Sequence, residues 1–375
     1  MNRDALIRSV TLWPLRIPLK STYDIAAGET RQSVDVVIVS LQTEAGVVGL
    51  GETQAWHRQG SNETLAGLVD AMQSLLIPLM IGQSVFDIAS LAERFDRRLS
   101  GRYAAKAALL DALYDAQGRL LNLPVWALLG GRARASVATG AVLTLREKLA
   151  ETLEEAELRY QQGYRHFSLK VGRSISRDIQ AVAALRKTLG DEVQILIDAN
   201  AGLTFSDALR LLQAIEPYQI EAAEQLLASH DWSGLADLAR RTSIPLLLDE
   251  SITTPADLLH AIPQRLAQGV HTKTAKNGGI WHSRQLWQIA SAAGWQVRAG
   301  NHPATSIATL AVAHLATAWA APLITSPFTS SVTHELMGDV VSQPLAITHG
   351  ELKIGEGTGW GVDLDKQAIA RWRID

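Results

Sequence analysis

Residues 193–200 read VQILIDAN and residues 245–251 read PLLLDES. Each is a short apolar run that stops at an acid, Asp198 in the first and Asp249 in the second. A run that is apolar without alternation suits a strand of a parallel sheet covered on both faces. Three more stretches stop at a polar residue: YRHFSLKVG at Lys170, QIEAAEQ at Glu224 and GVHTKTA at Lys273. Lys170, Asp198, Glu224, Asp249 and Lys273 stand 28, 26, 25 and 24 residues apart. That step is about the length of one strand–helix unit. SVATGAVL, WQVRAGN and APLITSP bring the candidate strands to eight. Seven amphipathic stretches, such as RDIQAVAALRKTL and SDALRLLQAI, lie between them. Eight strands alternating with seven helices predict an α/β protein, a parallel β/α barrel rather than an open sheet. Strand-end residues of a barrel gather on one rim, where the active sites of that architecture lie.

Outside this region the pattern changes. IRSVTLWPLRI, SVDVVIVSLQT and GVVGLGET predict a three-stranded sheet, with KSTYDIAAGETRQ (20–32) as a polar loop between the first two strands. Helical spacing follows in NETLAGLVDAMQSLLIPLM, VFDIASLAERFDRRL and AAKAALLDALYDAQGRLL. Pro124 and the pair Gly130–Gly131 mark a boundary. The expected layout is an α+β domain over 1–130, a barrel over 131–330 and a turn-rich segment over 331–375 that returns to the first domain.

The 375 residues are 47% hydrophobic and 19% charged, which allows a large core and excludes global disorder. A net charge of −3 with no basic run argues against nucleic acid. The absence of cysteine excludes disulfides, Cys–Zn sites and thiol catalysis, and fits a reducing compartment. No stretch approaches about 18 uninterrupted apolar residues, so a cytoplasmic protein with no membrane partner is expected. A homo-oligomer is expected too.

Three carboxylates flanked by two lysines suit a hard divalent cation with proton transfer beside it. Asp198, Glu224 and Asp249 are the candidate ligands, for Mg²⁺ or Mn²⁺, because oxygen-only ligation disfavours zinc. Lys170 and Lys273 are the candidate acid–base pair. A lysine has a reference pKa of about 10.4. A neighbouring cation and burial both depress it. Asn200 and Glu250 lie just beyond ligands and are placed to orient them. Asn301 and His302, in AGNHPATS after the seventh strand, are candidate substrate contacts, with His302 as a hydrogen-bond donor or second acid. The implied partner is a small-molecule carboxylate.

KVG after Lys170, DAN at 198–200, EQ at 224–225, DES at 249–251 and KTAKNGG at 273–279 together resemble the enolase superfamily. GLGET at 49–53, AAKAALLDALYDAQG at 104–118 and LPVWALLGG at 123–131 make the chain most similar to its muconate cycloisomerase subgroup. The resemblance implies a modified (β/α)7β TIM barrel under an α+β capping domain. It implies Mg²⁺ at Asp198, Glu224 and Asp249, with Lys170 and Lys273 on either side of an enolate. It also implies cap loops near Tyr23 and Trp56 that close over the substrate. The implied reaction removes and returns a proton alpha to a carboxylate. Its outcome is of isomerase type: a cycloisomerase, or a racemase or epimerase of a small carboxylate or amino-acid derivative. The alternatives are a dehydratase or other lyase, for example on a hydroxyproline, and a non-catalytic binding protein. The chain departs from the subgroup at Ser168, where Lys-x-Lys is usual, which makes Ser168 a candidate substrate contact. It departs again at LITSPFTSS, which lacks an acid, and at Asn301–His302, where small residues are usual.

Overall fold

The computed structural model describes residues 3–25, 29–55, 63–325 and 336–374. Alternating and β-branched residues near the N-terminus form β1 (Ile7–Ile25), β2 (Glu29–Thr43) and β3 (Val48–Gln54), an antiparallel sheet in that order. The expected loop at 20–32 is largely strand. Lys20–Ile25 prolongs β1 and Glu29–Gln32 opens β2, with Tyr23 opposite Arg31 and Ile25 opposite Glu29. Thr22, Tyr23, Ile25 and Thr30 all favour extended backbone. Continuing the ladder also pairs backbone groups that a loop leaves open.

A helical run over 65–80 leads to α1 (Ile88–Arg98) and α2 (Tyr103–Leu121). The whole of Ala104–Gly118 in α2 is buried. Its alanines let β3 lie directly on the helix backbone. A Cβ on Gly51 would stand 1.9 Å from Ala108 O, and one on Gly49 2.3 Å from Ala112 O. Two buried acids make α2 a pin between regions. Asp111 accepts from Ile280 N at 2.7 Å. Asp115 accepts from Leu50 N at 2.8 Å and from Trp360 N at 2.7 Å, and pairs with Arg119 at 3.0 Å.

The barrel strands are β5 (Ala141–Leu143), β6 (His166–Lys170), β7 (Gln194–Asp198), β8 (Ala222–Glu224), β9 (Leu246–Leu248), β10 (Gly269–Lys273), β11 (Gln296–Gly300) and β12 (Leu323–Ile324). They form one parallel sheet in chain order. The helices between them are α3 (Leu149–Gln161), α4 (Ile175–Leu189), α5 (Phe205–Ile215), α6 (Trp232–Ala239), α7 (Pro255–Ala261), α8 (Gly279–Ala292) and α9 (Ser306–Thr317). The fold is the expected modified TIM barrel with a separate antiparallel sheet at its N-terminal end. In α5, Ala208, Leu211, Leu212 and Ile215 are buried, the stripe an outer helix turns toward a sheet. Inside, Leu196, Ala222, Leu247 and Ile324 pack as a cluster of their own. The barrel is therefore filled below its mouth.

The stretch SVATGAVL divides in two. β4 (Val137–Ala138) leaves the barrel and pairs with a C-terminal hairpin, β13 (Ile347–Thr348) and β14 (Glu351–Leu352). The C-terminal residues also touch the N-terminal sheet, through bridges Leu19–Leu336 and Leu15–Arg373 and through α10 (Lys366–Trp372) against β1. Among the described residues, no helix is long and apolar enough to cross a membrane.

Because the Gly51 contact is with backbone, Gly51→Ala is expected to lower stability by about 1–3 kcal/mol, the cost of overpacking. Chemical denaturation followed by circular dichroism measures it. An unchanged midpoint would mean that β3 and α2 separate without cost.

Candidate metal and acid–base site

Strand register decides which side chains share the barrel mouth. Lys170 lies opposite Asp198, and Asp198 opposite Glu224. Glu224, however, lies opposite Leu247, and Leu248 opposite Val270. Asp249 therefore stands one layer above Glu224, level with His271, and His271 pairs in turn with Arg298. The rim is a spiral rather than a flat ring, as barrel shear requires. Ligand atoms of Glu224, Asp249 and His271 lie within 4.8 Å of one another, a group able to hold a metal ion.

Three acids of the mouth, Asp198, Glu224 and Asp249, each have a cation. Lys170 Nζ donates to Asp198 Oδ2 at 2.6 Å and to Asn200 Oδ1 at 2.9 Å. Glu224 pairs with Arg298 and lies 2.8 Å from His271 Nδ1. Asp249 pairs with Lys273, and Lys276 Nζ reaches Asp249 Oδ1 at 2.7 Å. All of these groups are buried. Burial raises the Asp198 carboxyl; Lys170 opposes this and Glu224 adds to it, leaving the pKa above the ordinary value. Burial also raises Asp249, but Lys273, Lys276 and His271 hold it well below the carboxylate range. Burial pulls Lys273 down, and Asp249, Glu224 and Glu250 more than offset it, so this ammonium is held above the usual lysine value. Glu250 is pushed up to about 8 by burial and by the charges of Asp249 and Asp198. Its Oε2 is buried with no hydrogen-bond partner.

The backbone beyond the acids is unusual. Asn200 (φ 44°), Ala201 (φ 61°) and Gln225 (φ 32°) all adopt left-handed conformations. For a residue other than glycine this costs roughly 1–2 kcal/mol. Side-chain bonds hold the turns in place. Asn200 donates from N to Asp198 Oδ1 at 2.8 Å and from Nδ2 to Glu250 Oε1 at 3.4 Å. Gln225 Oε1 accepts from Asp249 N at 2.9 Å, while its Nε2 donates to Ser251 Oγ at 2.8 Å. One acid-bearing strand end thereby positions the next.

Comparison with known proteins agrees with this geometry. Residues 6–130 match the family described as mandelate racemase / muconate lactonizing enzyme, N-terminal domain. Residues 151–368 match the one described as enolase C-terminal domain-like. A hydrophobic dipeptide epimerase from Enterococcus faecalis V583 is 32% identical over 95% of this chain and 99% of its own. The chain belongs to the enolase superfamily. An N-succinyl-L-Arg/Lys racemase from Bacillus cereus is 27% identical over 97% of this chain and 96% of its own. The crystal structure of a muconate lactonizing enzyme from Pseudomonas fluorescens with muconolactone superposes with a TM-score of 0.93 at 28% identity, covering 99% of this chain and 100% of that one. The named relatives are thus a racemase, an epimerase and a lactonizing enzyme.

Within this superfamily frame, the structure brings Lys170, Asp198, Asn200, Glu224, Asp249, Glu250 and Lys273 into one buried mouth. Ser168 is buried on β6, two residues before Lys170 and on the same strand face. Asn301 donates to Thr309 Oγ1 at 3.1 Å, so its amide group reaches toward α9. His302 is held well below the usual histidine range by burial and then by Lys273. Trp56 lies outside the described residues, and of Tyr23 only the strand backbone is described.

Four residues escaped the sequence reading. Lys276 follows Lys273 by one helical turn in KTAKNGG, a spacing that itself was a signal. His271 and Arg298 interrupt strands that should be apolar, which marks polar groups turned inward. Thr144 follows β5 at the level of Lys170, because Leu143 lies opposite Leu169. Its Oγ1 is buried without a partner, and nothing in the sequence pointed to it.

Arg298→Ala leaves Glu224 without its arginine inside the barrel. Breaking a buried pair costs about 3–5 kcal/mol. Urea denaturation should show a loss of that order, and a loss below about 1 kcal/mol would mean that His271 suffices.

Proposed function

We propose that the protein is a divalent-metal-dependent isomerase that removes the proton alpha to the carboxylate of a small substrate and returns it. The observation that carries this reading is the meeting of two lysines from separated strands, β6 and β10, in one acid cluster. Asp198, Glu224 and Asp249 would hold Mg²⁺, with Mn²⁺ as the alternative. The fit rests on buried oxygens that repel one another and on the partnerless Glu250 Oε2. A crystal structure of the E. faecalis epimerase is described with Mg and the dipeptide L-Leu-L-Tyr. The bound cation supplies Lewis-acid stabilisation of negative charge on the substrate carboxylate.

The chain's own residues do the rest. Lys170 and Lys273 approach from opposite sides, one taking the proton as an amine and the other returning one as an ammonium. Neutralising the acids lowers the Lys273 pKa toward the range where its amine form exists, because those acids are what raise it. Asn200 and Gln225 hold the acids at fixed positions. Thr144 Oγ1 offers a donor at the rim for a polar substrate group, and Ser168 offers another beside Lys170. Tyr23, Trp56, Asn301 and His302 remain the expected selectors of substrate. The lyase and non-catalytic readings gain nothing from the relatives named above. Residues 1–130 form the cap in this reading, 131–330 the barrel and 331–375 the return. A cytoplasmic homo-oligomer completes it.

Incubation of a panel of N-acylated amino acids, dipeptides and muconate-like acids in heavy water with Mg²⁺ should label the α-carbon of a substrate. No label across the panel, with no metal bound, would overturn the reading. Asp249→Asn is expected to weaken Mg²⁺ binding by calorimetry and to cut exchange by at least about a hundredfold, some 2.7 kcal/mol of transition-state stabilisation, in a protein that still folds. Lys273→Ala should abolish exchange from one face of the substrate and spare the other. Identical stereochemistry in mutant and wild type would remove Lys273 from the reaction.

A further inference from the structure

The first turn of α9 is held from outside the barrel. Glu52, on β3 of the cap, is 3% exposed. Its Oε1 accepts from Thr305 N at 2.8 Å, and its Oε2 accepts from Thr305 Oγ1 at 2.6 Å and Ala308 N at 2.8 Å. Asp339, from the C-terminal segment, accepts from Ser306 N at 3.2 Å and Ser306 Oγ at 2.5 Å. Ile307 N turns to Thr305 Oγ1 at 3.4 Å. The N–H groups that a helix start leaves open are therefore taken up by side chains, mostly from two foreign acids.

The location gives this contact meaning. Glu52 stands four residues before Trp56. Thr305 stands three residues after His302, and Asn301 is tied to Thr309 on the same helix. Asp339 follows Met337, whose N–H bonds Pro18 O of β1 at 2.8 Å. One helix start thus joins the cap strand that leads to Trp56, the Asn301–His302 loop and the returning C-terminal chain.

We propose that Glu52 is a positioning residue, a latch through which β3 sets the Asn301–His302 loop, and that its proton controls how firmly cap and barrel close. The inference stands on the cap–barrel contact and does not need the proposed reaction.

Several groups act on Glu52. Burial raises its pKa, the Thr305 and Ala308 hydrogen bonds lower it, and Asp339 raises it again, to about 7 from an ordinary 4.5. Gln54 Nε2, at 3.4 Å, is neutral. Burial, and then Lys273, hold the His302 pKa well below the usual histidine range. On α2, behind β3, Asp111 is engaged by Ile280 N, and Asp115 by Leu50 N, Trp360 N and Arg119. The sign follows from linkage. The closed state binds the proton more tightly than an opened, hydrated Glu52. Closure is therefore tightest in acid and loses that contribution as pH rises through about 7.

Amide hydrogen exchange of the full chain, corrected for intrinsic rates, tests this between pH 5 and 8.5. Protection at 305–309 should fall at least about tenfold as pH rises, one pKa unit's worth, while α4 shows no such step. Glu52→Gln, a neutral mimic of the protonated acid, should abolish the step. Asp339→Asn should move its midpoint to lower pH. A flat wild-type profile, or a step that survives in Glu52→Gln, overturns the proposal. If Glu52→Gln does not fold, Asp339→Asn decides alone, and an unmoved midpoint overturns it. Loss of α-carbon exchange in either variant bears on the reaction, whereas these amides report the latch.

Discussion

Four carboxylates crowd one water-poor barrel mouth, and their repulsion is the constraint on which the site depends. Asp198, Glu224, Asp249 and Glu250 are all buried. An isolated buried carboxylate is costly enough that it neutralises rather than stays charged. The chain answers strand by strand, with Lys170 for Asp198, Arg298 for Glu224, and Lys273 with Lys276 for Asp249. Glu250 has Asn200 beside it, and it is the group pushed up to about 8. In the proposed reading, the same balance gives a bound cation its place, as another counter-charge for these acids. An amine exchanges a proton with substrate only when its acid has another counter-charge. Lys276 and Arg298 are free of that conflict. They pair with acids away from the proposed proton transfer, and Lys276 is further fixed by Asp249 O at 2.5 Å and His271 O at 3.0 Å.

Such a cluster keeps its geometry only on a stiff frame. The left-handed turns at Asn200 and Gln225 store strain, and the hydrogen bonds that hold them also align the acids. A second level of support lies at the cap. The α2 acids bond backbone N–H groups of β3, of α8 and of the C-terminal segment. Glu52 repeats the device in the other direction, from cap strand to barrel helix. Buried acids on backbone donors thus join cap and barrel at contacts from both sides. Such contacts tolerate little displacement, because a shift leaves a buried charge without its donors.

The barrel and the rim acids were legible because both are periodic. Apolar runs such as ILID and LLLD recur at one strand–helix spacing, and that spacing alone orders Lys170 to Lys273 around the mouth. What stayed hidden depends on quantities a linear spacing does not carry. Barrel shear lifts Asp249 beside His271, so the group able to hold a metal contains a histidine that no end-of-strand rule selects. Arg298 lies inside its strand and matters only because Glu224 faces it. Thr144 follows a strand of three residues, too short to show periodicity. The loop expected at 20–32 failed for the opposite reason. Its glycine and polar residues suggested a turn, and cross-strand pairing overrode local composition.

Ser168 gives the two flanks of the mouth different characters. On the Lys273 side, a second ammonium, Lys276, shares Asp249, and Asp249, Glu224 and Glu250 all act on the lysine. On the Lys170 side, the strand face carries a hydroxyl where the subgroup usually places another lysine. Lys170 is engaged by Asp198 and by the neutral Asn200. Like-charge repulsion that would favour its amine form is absent from its own strand. The side chain at 168 therefore contributes no charge to a bound carboxylate, and what it offers is a short hydroxyl beside a single ammonium. In the proposed reading, a substrate group at this flank would meet that hydroxyl and the one ammonium.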